Sequence, residues 1–315
     1  MAEVSVVAPA KINLYLRAGS PRPDGYHPLL TVFQAVSLFE RVTLRLAGQP
    51  GVAISVTGPG ANLVPLDQSN LAVRAVLAVA EQVGLTPAVQ LHIDKAVPVA
   101  GGLAGGSADA AAALVAANHL WQAGLDHAAL HRLAAGLGSD VNFCLAGGTA
   151  IGHGRGEQLA PINPGAPSDP SGKTALLHWV LATRPDTGLS TPAMFTALDR
   201  VRAGARVELP GQVSAGLIEA LQQGNPTAVG RHLANDLQAP AVAALPELAS
   251  TLEVARTAGA LGAVVTGSGP TVAALAADAA HAAHLAQAVA SADRAVQPIV
   301  VTAPVPGPLA DPAGG

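Results

Sequence analysis

The stretch Pro98–Ala111, PVAGGLAGGSADAA, decides the fold because it links a strand pattern to a helix pattern through almost bare backbone. The run Val89–Lys95 (VQLHIDK) before it alternates like a strand, and the alanine-rich segment after it favours a helix. Glycine lets a ligand reach main-chain N–H groups, and a helix start attracts anions. The stretch therefore predicts a phosphate site, in which the Ser107 hydroxyl reaches a phosphate oxygen or a magnesium ion. Alone, these residues fit a turn capped by Ser107 equally well.

Two better-known glycine loops do not match this spacing. A Rossmann fingerprint needs G-x-G-x-x-G, whereas the glycines here are spaced G-G-x-x-G-G. The sequence Gly172–Thr174 (GKT) resembles the end of a Walker loop, but Pro167 stands where that motif needs its first glycine. We therefore interpret Gly172–Thr174 as part of a proline-rich loop.

Composition limits the possible functions. The chain has 315 residues, of which 12% are charged, and a net charge of −4, which provides no electrostatic footprint for nucleic acid or an anionic membrane. A single cysteine, Cys144, excludes an internal disulfide and fits a reducing cytoplasm. The uncharged run 257–277 is long enough to span a membrane, but the turn Thr266–Pro270 divides it into two short strands. We predict a soluble cytoplasmic protein, monomer or homodimer, that binds neither nucleic acid nor membrane.

The remaining pattern predicts a mixture of strands and helices. In the first half, strands are predicted at 3–8, 13–18, 29–37, 41–47 and 52–57, and helices at 70–83, 108–123 and 127–137, the last capped by Asp126. In the second half, strands are predicted at 175–183, 271–275 and 296–302, and helices from Ser190 and at 213–223, 227–233, 247–258 and 279–290. Proline and glycine predict a flexible loop at 164–172 and a disordered tail at 303–315.

Several polar residues have an ordinary interpretation when each is considered alone. Lys11 fits a solvated lysine at a strand edge, and Asp140, which follows a glycine and a serine, fits a helix cap. Tyr26 and His27 fit a polar turn. A chemical role for these residues needs a wider pattern.

Six short blocks supply that pattern, and together they resemble the GHMP (galactose, homoserine, mevalonate and phosphomevalonate) small-molecule kinases. The blocks, in family order, are Pro9–Leu14 (PAKINL), Asp24–His27 (DGYH), Gly138–Asp140 (GSD), Thr191–Phe195 (TPAMF), Asn235–Leu237 (NDL) and Thr266–Pro270 (TGSGP). The family's P-x-x-x-G-L-x-x-S-S-type loop matches Pro98–Ala108, with Ala104 replacing a usual glycine and Ala108 a second serine. Alanine is small enough to keep the loop's shape, and Ser107 alone would serve phosphate or magnesium.

The resemblance implies a two-domain α+β GHMP kinase fold with the active site in the interdomain cleft. An N-terminal domain would span 1–163, a flexible loop 164–174, a C-terminal domain 175–302 and the tail 303–315. It also implies a kinase that uses ATP and Mg²⁺ to phosphorylate a small alcohol. The blocks are most similar to the branch that phosphorylates the 2-hydroxyl of CDP-methylerythritol in the non-mevalonate isoprenoid pathway. The alternatives are another alcohol, such as mevalonate or homoserine, and a non-catalytic binding protein with this fold.

By this resemblance, Asp140 accepts the proton of the substrate hydroxyl or orients it, and Lys11 keeps Asp140 ionised. The cytosine would lie between Tyr26 and Phe195, with His27 at its polar edge. The other substrate-binding residues implied are Asn13, Gly267 and Ser268. The residues implied for ATP are Pro98, Val99, Ala100, Gly101, Gly102, Leu103, Ala104, Gly105, Gly106, Ser107 and Ala108.

Overall fold

The computed structural model describes residues 2–164, 176–185 and 187–310, which form two β-sheets with helices packed against them. The strands are β1 Glu3–Ala18, β2 Leu29–Leu46, β3 Gly51–Thr57, β4 Ala88–Asp94, β5 Thr149–His153, β6 Gln158–Pro161, β7 Leu177–Thr183, β8 Ala234–Asn235, β9 Gly262–Val265, β10 Val272–Ala276, β11 Gln297–Ala303 and β12 Leu309–Ala310. The 8-stranded sheet has the path β12-β1-β2-β4-β3, with β5 beside β2, β6 beside β5 and β8 beside β1. The 4-stranded sheet has the order β11-β7-β10-β9.

The helices confirm the α+β class predicted from the sequence. They are α1 Leu71–Gln82, α2 Gly105–Leu120, α3 His127–Leu137, α4 Val141–Ala146, α5 Thr191–Arg202, α6 Ala215–Gln222, α7 Pro226–Gly230, α8 Gln238–Ala244, α9 Glu247–Thr257 and α10 Ala279–Ala292. Helix α3 begins and ends at the predicted residues. At its start the Asp126 side chain accepts a hydrogen bond from the N–H of Ala129, as a helix cap does. None of the described helices is long and apolar enough to cross a membrane.

Strand β1 is continuous, although Pro9 predicted two separate strands. Its register against β2 shifts directly after Pro9 and again after Asn13. Such bulges accommodate a residue without an N–H group while the sheet continues. The shifts lie on either side of Lys11, so the irregular part of β1 carries a residue predicted to be catalytic.

Helix α2 lies at the centre of the hydrophobic core of the N-terminal half of the chain. Its alanines are buried against β1, β2 and α1, and their small side chains let these backbones lie close together. The helix begins at Gly105 rather than at the predicted residue 108. The reason is that Ala104 adopts a left-handed conformation, φ 60°, and the chain becomes helical directly after it. The free N–H groups of the first turn of α2 therefore lie where the glycine-rich loop ends.

The two halves of the chain are joined by strand pairing as well as by contact. Strand β8, from the second half, pairs in parallel with β1 at Tyr15 and Leu16.

Residues 303–310 contradict the predicted disordered tail, because β12 pairs with β1 at Val6 and Val7. Proline and glycine content misleads here, since the partner strand lies at the other end of the chain. Of the predicted flexible loop at 164–174, only residue 164 lies within the described residues, and residues 311–315 also lie outside them.

Candidate active site

A cleft of about 880 Å³ opens between the two halves of the chain. It is lined by these residues singled out in the sequence: Lys11, Asn13, Tyr26, His27, Pro98, Val99, Ala100, Gly101, Gly102, Ala104, Gly105, Gly106, Ser107, Asp140, Phe195, Gly267 and Ser268. Leu103 and Ala108 are instead buried in the hydrophobic cores. We refer to Pro98–Ala108 as the glycine loop.

The cleft lies at the outer edge of β1, in the gap between β12 and β8. In this gap the N–H of Lys11 donates a hydrogen bond to the carbonyl of Leu103 over 3.1 Å. The N–H of Asn13 donates to the hydroxyl of Thr266 over 2.8 Å. The glycine loop and the turn Thr266–Pro270 thus occupy the place of a neighbouring strand. This arrangement satisfies buried backbone donors and brings both segments to Lys11.

The ammonium group of Lys11 is buried and is surrounded by oxygen atoms. Its Nζ lies 2.7 Å from Oδ1 of Asn13, 3.2 Å from the carbonyl of Gly102 and 3.6 Å from Oδ2 of Asp140. The Lys11 side chain keeps 5% of its surface exposed and that of Asp140 keeps 32%. A charged, fixed lysine therefore stands behind a carboxylate that still faces the cleft.

Asp140 occupies the position before the first residue of α4, where an aspartate commonly caps a helix. Its side chain makes no capping hydrogen bond, and its backbone is helical, with φ −84° and ψ −12°. The carboxylate is therefore turned away from the helix N-terminus and toward Lys11. Of the two interpretations that the sequence left open, this geometry disfavours the cap.

The turn Thr266–Pro270 is held by polar contacts within the second half. The Asn235 amide donates hydrogen bonds of 2.7 Å to the carbonyls of Val265 and Gly267. The hydroxyl of Ser268 lies 2.9 Å from that of Thr191. Three of the six sequence blocks, which contain Asn235, Thr191 and Ser268, therefore meet at one wall of the cleft.

The glycine loop has a strained backbone. Ala100, Gly102 and Ala104 all have positive φ, of 55°, 80° and 60°. A Cβ atom on Gly102 would lie 2.5 Å from the carbonyl oxygen of Thr266, so only glycine fits between the loop and the turn. At Ala104, where the family usually has glycine, the alanine keeps the left-handed conformation that glycine adopts more easily.

A buried ionic cluster lies beneath the glycine loop, and the sequence analysis missed it. Lys95 Nζ bonds to Glu40 and lies 2.7 Å from Oδ2 of Asp109, and all three side chains are buried. Burial, then the nearby charge of Asp109, raises the pKa of Glu40 to about 7. Oδ1 of Asp109 has no hydrogen-bond partner. The available signal was a charged residue, Asp109, inside an otherwise apolar alanine run.

The predicted base-binding residues lie together at the other end of the cleft. The His27 ring stacks on Phe195 with centroids 4.8 Å apart, and its Nε2 lies 2.9 Å from Oδ1 of Asp199, a residue the sequence analysis did not single out. Tyr26 is 54% exposed, and the Arg155 guanidinium lies 4.9 Å from its ring centroid. The Phe195 ring is thus fixed by stacking on His27, and the Tyr26 ring, with Arg155 over it, remains half exposed.

Comparison with known families identifies two matching models. The model described as GHMP kinases N terminal domain matches residues 70–148, and the model described as GHMP kinases C terminal matches residues 217–295. The first match contains the glycine loop and Asp140, and the second contains the turn Thr266–Pro270.

Curated relatives match over almost the whole chain. A protein of Streptomyces avermitilis named 4-diphosphocytidyl-2-C-methyl-D-erythritol kinase is 46% identical, over 96% of this chain and 98% of its own length. A protein of Nocardia farcinica with the same name is 49% identical, over 96% of this chain and 95% of its own length.

Solved structures share the fold. A crystal structure of 4-(cytidine 5'-diphospho)-2C-methyl-D-erythritol kinase superposes with a TM-score of 0.74 at 29% identity, covering 96% of this chain and 99% of the other. A homoserine kinase from Cytophaga hutchinsonii also reaches a TM-score of 0.74, at 20% identity, covering 99% and 98%. At 20% identity the second likeness is one of fold alone.

Proposed function

Because this chain belongs to the GHMP kinases, and within them to the 4-diphosphocytidyl-2-C-methyl-D-erythritol kinases, we propose that it transfers the γ-phosphate of ATP to the 2-hydroxyl of that cytidine compound. The reaction belongs to the non-mevalonate route to isoprenoid precursors. The observation that carries the proposal is the pair Lys11 and Asp140, which faces the glycine loop across one cleft.

The proposed chemistry follows from what phosphoryl transfer requires. The hydroxyl oxygen forms a bond to the γ-phosphorus, the bond from that phosphorus to the bridging oxygen breaks, and ADP leaves. Catalysis of this step consists mainly of positioning and of stabilising charge. Asp140 accepts a hydrogen bond from the hydroxyl and takes its proton as the new bond forms. Lys11, 3.6 Å from that carboxylate, adds positive charge beside the transferring group.

The glycine loop is proposed to hold the ATP phosphates. The first turn of α2, which begins at Gly105, presents free N–H groups and the positive end of the helix dipole at the end of this loop. Ser107 lies in that turn and lines the cleft. A phosphate bound there lies in the same cleft as Lys11, which also contacts the loop through the carbonyl of Gly102.

The residues present fit a magnesium ion held mainly by the nucleotide. The described residues contain no group of three or more His, Cys, Asp or Glu side chains that could hold a metal. Mg²⁺ in kinases commonly takes one or two protein ligands together with phosphates and water. Ser107 would be one ligand, and the unpartnered Oδ1 of Asp109, on a residue that also lines the cleft, would be a second. When bound, the ion neutralises phosphate charge.

The cytosine is proposed to bind between Tyr26 and Phe195. Tyr26 supplies an exposed ring, and His27 stacks on Phe195 while its Nε2 is held by Asp199. A histidine whose ring is fixed in this way presents its remaining edge in one orientation, which suits recognition of a polar base edge. We also propose a cytoplasmic location, since the one cysteine, Cys144, is a buried free thiol and cannot form an internal disulfide.

The test is ADP release with Mg-ATP and each of three alcohols: 4-diphosphocytidyl-2-C-methyl-D-erythritol, mevalonate and homoserine. We expect turnover of the cytidine compound alone, and its loss in Asp140→Ala. Turnover of mevalonate or homoserine instead would overturn the cytosine site while keeping the kinase. If ATP binds and no alcohol is phosphorylated, the protein is a non-catalytic member of the family.

A further inference from the structure

The proposed substrate carries a diphosphate between its cytidine and its methylerythritol unit, so the cleft must balance charge near its middle. Burying charged phosphate oxygens is costly unless cations or N–H groups contact them. Among the described residues that line the cleft, the lysines and arginines are Lys11, Lys95 and Arg155. Which of these cations is available decides how the diphosphate is held.

The two lysines are already committed to carboxylates. Lys11 is held between Asn13 and Asp140 at the site of phosphoryl transfer. Lys95 is buried between Glu40 and Asp109 beneath the glycine loop, with 2% of its side chain exposed. Lys95 cannot turn to a new anion without leaving buried carboxylates unpaired, and Lys11 is used at the site of phosphoryl transfer.

Arg155 differs, because its guanidinium forms no ion pair with any other residue that the structure describes. It lies over the Tyr26 ring at 4.9 Å from the centroid. Two carboxylates lie close to Arg155, and each already has a hydrogen-bond partner other than its guanidinium. Glu157 accepts a hydrogen bond of 2.6 Å from the backbone N–H of Arg155, and Asp24 pairs with Arg22 over 3.0 Å.

We propose that Arg155 binds the diphosphate of the substrate and thereby determines the preference for a nucleoside diphosphate over a free alcohol. The inference rests on the proposed function and assigns a residue to a part of the substrate that no other described cation in the cleft is free to contact. A guanidinium presents a planar set of N–H donors that matches phosphate oxygens. Stacking on Tyr26 holds it next to the proposed base site. Arg155 and Tyr26 thus act as one unit that recognises base and diphosphate together.

The test compares the affinities of cytidine, CMP and CDP for wild type, Arg155→Met and Arg155→Lys by titration calorimetry. Methionine keeps an unbranched side chain against Tyr26 but removes the charge, and lysine keeps the charge without the planar donors. We expect Arg155→Met to weaken CDP binding about 10- to 100-fold and to leave cytidine binding unchanged, with Arg155→Lys intermediate. Arg132→Met removes one exposed charge outside the cleft and serves as the control.

Steady-state kinetics give a second readout. Arg155→Met should raise the KM for the cytidine substrate and leave the KM for ATP unchanged. Equal weakening of cytidine and CDP would overturn the inference, because Arg155 would then act only through Tyr26. Unchanged CDP affinity in Arg155→Met would overturn it as well. Wild-type protein that binds none of cytidine, CMP and CDP would overturn both this inference and the proposed function.

Discussion

Asp140 lies 3.6 Å from Lys11 and caps nothing, although it stands at the position where a helix normally recruits an aspartate. The helix N-terminus thus gives up a stabilising contact, and the carboxylate is kept for the cleft. Because Asp140 makes no capping contact and lines the cleft, it is the clearest target for mutation.

Replacing Asp140 with asparagine should lower kcat about 10²- to 10⁴-fold, the usual contribution of a positioned proton acceptor. The KM for ATP should change little, because the change is isosteric. Asp126→Asn is the matched control, since Asp126 caps α3 and asparagine caps equally well. If Asp140→Asn keeps more than a small fraction of wild-type kcat, Asp140 orients the hydroxyl rather than taking its proton.

A substitution at Gly106 distinguishes two reasons for glycine in the loop: space for a bound phosphate, or a requirement of the fold itself. A Cβ there would meet no protein atom within 4 Å, and the residue is helical. Gly106→Ala should therefore stabilise the protein by about 0.5–1 kcal/mol, as alanine does in a helix, yet raise the KM for ATP. Gly136→Ala, in α3 and equally open, should give the stability gain alone. Unchanged ATP affinity in Gly106→Ala would show that phosphate does not approach this position.

Ala104 carries a left-handed backbone that glycine adopts without strain. Ala104→Gly should raise the free energy of unfolding by about 1 kcal/mol. Denaturant unfolding measures this, with Ala129→Gly inside α3 as a control that should be destabilised. A loss of stability in Ala104→Gly would mean that the flexibility glycine adds to the unfolded chain outweighs the strain it removes.

The Glu40 cluster predicts a pH dependence of stability. A carboxyl whose folded pKa is raised from 4.5 to about 7 stabilises the folded state fully below 4.5, and this contribution is lost as pH rises through about 7. Wild type should therefore lose stability relative to Glu40→Gln across this range, with a slope of at most about 1.4 kcal/mol per pH unit. The exposed Glu81→Gln should show no such difference from wild type. Parallel stability curves for wild type and Glu40→Gln would contradict the prediction.

The segment around Gly307 packs against the last turn of α4. A Cβ on Gly307 would lie 2.2 Å from the carbonyl oxygen of Leu145, so the backbone must shift to accept one. We expect Gly307→Ala to destabilise the protein by about 1–3 kcal/mol, measured as a lower Tm. Gly211→Ala, which meets no atom within 4 Å, should leave Tm almost unchanged. An unchanged Tm in Gly307→Ala would show that the end of the chain detaches without cost.

Local signals predicted the parts of the structure whose partners are local. The Asp126 cap bonds to Ala129, and the turn Thr266–Pro270 joins two strands that pair with each other, so short stretches of sequence contain both interactions. The glycine loop that leads into a helix was predicted for the same reason, since the two segments are adjacent in the sequence.

Interactions between distant segments were not predictable in this way. Glu40 meets Lys95 and Asp109 only after β2, β4 and α2 have packed together, and no spacing in the sequence encodes that meeting. Asp199 bonds to His27 from a helix in the other half of the chain. The single β1 strand was missed because the local effect of Pro9 was overridden by pairing along both sides of it.

The outer edge of β1 has a consequence for how this protein is made. Every segment that covers this edge comes later in the chain: Leu103 and Thr266 at its middle, and β8 and β12 at its two ends. A nascent polypeptide emerging from the ribosome therefore carries a partly open strand edge until β12 has emerged, and open edges promote aggregation. A fragment ending near residue 163 would retain Leu103 but lack Thr266, β8 and β12, so most of that edge would stay open. Cellular yield should thus depend on chaperone protection during synthesis, and fusions at the C-terminus should be made beyond β12.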